Sequence, residues 1–82
     1  MLNEERRKEL VKQVKQIAES QKVNMRNARR DCLDELKNLK KNGEISEDEM
    51  GSLEKDVQNL LDKYISKIDD VLDAKEKEIM EI

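Results

Sequence analysis

Val11, Ala18, Met25, Cys32 and Leu39 recur every seven residues, and the chain contains no proline to interrupt them. Seven residues are close to two turns of α-helix, so this apolar row lies along one side of a single long helix. Leu10, Val14, Ile17, Ala28, Leu33 and Leu36 widen the row into a stripe, with Gln21 a polar member of its flank. The spacing predicts an amphipathic helix over most of residues 4–41. Its ends are marked. Asn3 is a good N-cap ahead of Glu4 and Glu5, and Lys40 and Lys41 suit the negative end of the helix dipole. Gly43 then suits the left-handed position that closes a helix.

The chain restarts at I-S-E-D-E-M. Ser46 is placed as an N-cap with Glu49 three residues on, a capping box, while Ile45 and Met50 have the spacing of a hydrophobic staple. Met50, Leu53, Val57, Leu60, Tyr64, Ile68, Val71 and Leu72 continue an apolar face, broadened by Leu61, Ile65 and Ile79. A second helix is expected over about 47–79, with a turn over about 42–46. So short a connection makes the helices antiparallel neighbours. The expected fold is all-α, one helical hairpin spanning residues 1–82, with Cys32 and Tyr64 in its core.

The stripes are broader than one contact seam needs, and every Leu, Ile or Met left unburied forgoes roughly 1.5–3 kcal/mol. The hairpin is therefore expected either to form part of a three-helix bundle or to self-associate into a four-helix bundle.

Composition narrows the chemistry. Charged residues make up 45% of the chain and hydrophobic ones 35%, a balance that also occurs in disordered chains, but periodicity decides for helix. There is no histidine, and hence no ready acid–base group near neutral pH and no imidazole metal ligand. The carboxylates of E-I-S-E-D-E lack a calcium-loop pattern, and capping already accounts for Ser46 and Glu49. No enzymatic activity, cofactor or metal is expected. A lone cysteine suits a reducing compartment. No apolar run is long enough for a bilayer, and M-L-N-E-E-R-R-K lacks a leader's apolar core. A cytoplasmic binding module is the expectation.

Charge is divided between the halves. Residues 1–43 hold twelve Lys/Arg against seven Asp/Glu, a net of +5, and residues 44–82 hold five lysines against thirteen acids, a net of −8. At 100° per residue, Lys8, Lys12, Lys15, Lys22, Arg26, Arg30, Lys37 and Lys40 fall on one flank of the first apolar stripe, with Arg29 at its boundary. Such a face can simply be solvated. Two features favour a ligand: the shared flank, and three arginines at the helix middle when the second helix has none. Arginine forks match phosphate oxygens. With one aromatic residue in the chain, nucleic-acid recognition would be of backbone and shape rather than of stacked bases. The rival is a self-associating helical scaffold, in which the basic stripe only complements an acidic neighbour.

L-N-E-E-R-R-K-E-L, V-N-M-R-N-A-R-R-D, I-S-E-D-E and D-A-K-E-K-E-I-M, in this order, resemble the C-terminal part of bacterial ribosome recycling factors over essentially the whole chain. R-N-x-R-R-D is the most specific piece. The resemblance implies the last two helices of a three-helix-bundle domain that binds the large ribosomal subunit and, with elongation factor G and GTP, splits ribosomes after termination. It also implies that the arginine-bearing face contacts large-subunit rRNA. That points to Arg26, Arg29 and Arg30, with Lys15 and Lys22 assisting. Family members also carry a first bundle helix and an inserted β-rich domain, neither of which is found in these residues. Binding without full recycling activity is the consequent expectation, with a homodimer through the exposed apolar stripes as a further one.

Overall fold

The computed structural model describes residues 3–81, so the reading of Met1 and Leu2 as part of a leaderless N-terminus lies outside the described residues. Two helices form, α1 (Glu4–Lys41) and α2 (Glu47–Glu81). α2 therefore continues past residue 79, the expected end. The pair measures 61 × 15 × 10 Å, an all-α antiparallel hairpin with no strand among the described residues.

Local chemistry sets each end. The Asn3 side chain accepts from the Arg6 N–H at 2.7 Å, capping α1. At the other end Gly43 has φ +77°, and two bonds wrap the last turn: Gly43 N–H to the Lys40 carbonyl at 3.0 Å and Glu44 N–H to the Leu39 carbonyl at 2.9 Å. This crossed pair needs a left-handed residue after the cap, and glycine adopts it without the Cβ penalty. Three residues later the capping box closes as its spacing requires. The Glu49 N–H donates to Ser46 Oγ at 3.1 Å, and the Ser46 N–H donates to Glu49 Oε1 at 3.3 Å. α2 has no basic residue in its last turn. Arg7 of α1 serves instead, its Nη1 donating to the Met80 carbonyl at 3.4 Å.

The helices meet along rows with a period of eleven residues. On α1 the half-buried or buried positions include Arg7, Ala18, Arg29 and Lys40, then Val11, Lys22 and Leu33, then Val14, Met25 and Leu36. On α2 they include Met50, Leu61 and Leu72, then Glu54, Ile65 and Glu76, then Val57, Ile68 and Ile79. Eleven residues over three turns is 3.67 per turn, so such a row drifts about 20° in eleven residues, more slowly than a seven-residue row, which drifts about 20° the other way in seven. This drift corrects one expectation. Along the heptad row Ala18 is buried and Met25 half-buried, but Cys32 is exposed and so is not a core residue. Tyr64 is likewise 46% exposed, because it stands off the eleven-residue rows of α2.

Burial is shallow. Ala18, Leu36 and Leu61 are the buried hydrophobic residues, and no described side chain is fully enclosed. Large apolar groups stand in the open on one face, among them Ile17 (63%), Leu60 (55%) and Val71 (55%). Two helices can cover one seam, and these residues flank it. Among the described residues, no helix is long and apolar enough to cross a membrane.

Candidate nucleic-acid interface

The middle of α1 carries Arg26, Arg29 and Arg30 on continuous helix, and a four-residue step rises about 6 Å. Arg26 and Arg30 therefore stand one turn apart on the same flank. Arg26 is exposed, its Nη1 3.7 Å from Glu19 Oε1. Arg30 is exposed and donates to Asn27 Oδ1, which holds its guanidinium along the helix surface. Among the described residues, no carboxylate lies within ion-pair distance of Arg29 or Arg30. Lys8, Lys12 and Lys37 share the flank of Arg26 and Arg30 and are exposed.

Arg29 is different. It belongs to the row Arg7–Ala18–Arg29–Lys40, is half-buried, and lines an apolar hollow with Met25, Cys32, Leu60 and Tyr64. Its aliphatic stem packs at the seam while the guanidinium can reach the surface, as long basic side chains commonly do.

The two assisting lysines are engaged by α2. Lys22 pairs with Asp69, and its side chain is only 15% exposed. Lys15 lies 3.5 Å from Glu76, and Lys40 lies 3.5 Å from Glu47. These cross-helix pairs all sit on one edge of the seam and connect basic α1 to acidic α2 in antiparallel order. Exposed pairs contribute roughly 0–1 kcal/mol each, so they select the register more than they hold the fold. The hairpin thus separates the predicted basic residues into three situations: exposed on the flank (Arg30 beside Asn27, and Arg26 beside Glu19 of its own helix), at the seam (Arg29), and paired across it (Lys15, Lys22).

Sequence reasoning did not anticipate Arg7 at the Met80 carbonyl or Glu54 at the seam. An eleven-residue reading would have found both, since Arg7 is in register with Ala18 and Glu54 with Ile65. Among the described residues, no group of His, Cys, Asp and Glu side chains is arranged to hold a metal ion.

A helical hairpin with a basic α1, an acidic α2 and R-N-A-R-R-D at the centre of α1 meets the family model described as ribosome recycling factor, which matches residues 1–80. The chain belongs to the ribosome recycling factor family. The ribosome-recycling factor of Caldicellulosiruptor bescii is 63% identical over 81 residues, which cover 99% of this chain and 44% of that protein. That of Bacillus subtilis is 62% identical over the same shares, and that of Acetivibrio thermocellus 56%. The chain therefore spans about 44% of the length of the relatives it matches. Ribosome recycling factors are translation factors of protein biosynthesis, not enzymes. In this stretch α1 alone runs as about 57 Å of continuous helix.

Proposed function

We propose that this chain is a cytoplasmic binding module that docks on large-subunit rRNA through the exposed flank of α1, in ribosome disassembly after termination with elongation factor G. Arg26 and Arg30 lead, as open forks for phosphate oxygens. Arg29 adds a guanidinium from the seam edge. Lys15 and Lys22 contribute positive potential, and Lys15, whose own side chain is exposed, is placed to turn from the half-buried Glu76 toward a phosphate. Lys22 acts chiefly by holding α1 in register on α2.

The observation that carries this reading is the placement of Arg26 and Arg30. They are exposed one turn apart at the centre of a rigid helix, with the acids of α2 engaging other residues. Docking makes and breaks no covalent bond, in keeping with a family of factors rather than enzymes. Splitting ribosomes requires force from elongation factor G to pass through the whole factor, and this stretch corresponds to less than half of the relatives' length. The chain is therefore expected to bind large subunits, to compete with a full-length factor, and to lack splitting activity alone.

The test is large-subunit binding by the chain and by Arg26→Gln/Arg29→Gln/Arg30→Gln, with a splitting assay in the presence of elongation factor G and GTP. Weaker binding by the variant, and competition without splitting by the parent chain, are expected. Unchanged binding by a variant of intact helicity would remove the rRNA assignment. Splitting by the chain alone, at a rate near that of the full-length factor, would show the transmission argument to be wrong.

A further inference from the structure

The cross-helix ion pairs follow a regular step. Lys15 meets Glu76 and Lys22 meets Asp69, seven residues further along α1 and seven back along α2. One more step of seven sets Arg29 against Asp62. A step of eleven from the Lys40–Glu47 pair, back along α1 and forward along α2, sets Arg29 against Gln58, one turn from Asp62. A guanidinium and a carboxylate are thus in register for another rung. That rung is not made. Among the described residues, no carboxylate lies within ion-pair distance of Arg29, which borders the apolar hollow at the other edge of the seam. Asp62 accepts instead from Gln58 Nε2 at 2.9 Å, a bond that runs along α2.

The unmade rung lies beside the basic flank. Helical periodicity sets Asp62 on the same edge as Asp69 and Glu76, the edge that adjoins Arg26 and Arg30. A carboxylate turned toward α1 there would compete with phosphate for Arg29, because both present oxygens to the same fork. Gln58 supplies a nearer donor. A Gln–Asp hydrogen bond four residues apart is one of the side-chain pairs that form on an exposed helix surface.

We propose that Gln58 is a positioning residue, which holds the Asp62 carboxylate along α2 and so leaves the Arg29 fork to a phosphate of the docked rRNA. This rests on the docking reading above and adds to it a residue of the acidic helix that itself touches no ligand. The rungs at Lys15 and Lys22 set the register of the hairpin, so the fold does not need a further one at Arg29.

Gln58→Ala releases Asp62 without changing net charge, and both residues are exposed, so the hairpin is not at stake. In the free chain, 15N spectra of the Arg29 guanidinium read its pairing directly. They should show an unpaired group in the parent, a shifted and rotationally hindered one in Gln58→Ala, and a parent-like one in Gln58→Ala/Asp62→Asn. Large-subunit binding at low salt should weaken about two- to fivefold in Gln58→Ala, the share of Arg29 that an exposed pair withdraws. Adding Asp62→Asn should restore it, and Gln58→Ala should have no effect in an Arg29→Gln background. An Arg29–Asp62 pair already present in the parent, or none in Gln58→Ala, overturns the inference whatever the subunits do. A pair that forms while binding holds overturns the positioning role alone, provided that Arg29→Gln binds weakly. If Arg29→Gln binds as the parent does, the docking role of Arg29 fails and the inference falls with it.

Discussion

The two flanks of α1 are both open to solvent, and the difference between them lies in what water does for each. On one flank Lys8, Lys12, Arg26, Arg30 and Lys37 are hydrated at no cost. On the other, Ile17 and the hollow it shares with Tyr64 and Val71 hold apolar surface in water, at a cost of about 25 cal/mol for each Å². Exposure of charge therefore says nothing by itself, and the case for a basic ligand face rests on arginine placement. Exposure of the apolar strip carries weight alone. Between the flanks runs the seam, where the few buried residues make the hairpin one body.

The largest expected effect comes from breaking that seam. Leu36→Ala and Leu61→Ala remove buried side chains and should each lower unfolding free energy by about 2–3 kcal/mol, the low end of the range for buried leucine because neither is fully enclosed. Leu60→Ala, at a position 55% exposed in the hairpin, isolates the hollow. As a largely exposed side chain it should cost the hairpin no more than about 0.5 kcal/mol. Chemical denaturation at several protein concentrations separates these outcomes. Equal, concentration-independent losses at positions 36 and 60 would erase the distinction between seam and hollow.

Next come the turn residues, which hold the two helices at their register. Gly43→Ala should cost about 1–2 kcal/mol through backbone conformation. A Cβ at Gly43 meets nothing within 4 Å, so its positive φ is the whole cost. Ser46→Ala breaks one arm of the capping box and should cost about 1 kcal/mol. Both are measured by thermal or urea unfolding, and a loss-free Gly43→Ala would contradict the left-handed closure of α1.

Much of the fold was legible in the sequence because it is local. Asn3, Gly43, Ser46 and Glu49 each act within three or four residues of themselves, and their hydrogen bonds form as their spacing implied. The apolar stripes also announced that two helices would leave a face uncovered. Which residues form that face was not legible from a seven-residue pattern. A heptad row follows Cys32 and Leu39, whereas the straight seam follows Arg29, Leu33 and Leu36, so Cys32 turns outward and Lys22 inward. The basic flank was legible as a stripe from the helical step alone. Its division into open and engaged residues was not, because Lys15 and Lys22 meet Glu76 and Asp69 only once the register of α2 is set.

The smallest stability effect belongs to the basic flank. Arg26→Gln and Arg30→Gln should change unfolding free energy by no more than about 0.5 kcal/mol, as surface substitutions usually do. That makes them suitable for the most direct test of the docking claim, a titration of large-subunit binding against salt for the chain and for Arg26→Gln/Arg30→Gln. Each phosphate contact on a duplex adds about 0.9 to the slope of log affinity against log salt. The account predicts weaker binding by the variant and a slope shallower by about 1–2, the loss of one or two phosphate contacts. An unchanged affinity with an unchanged slope, in a variant as helical as the parent, would contradict it.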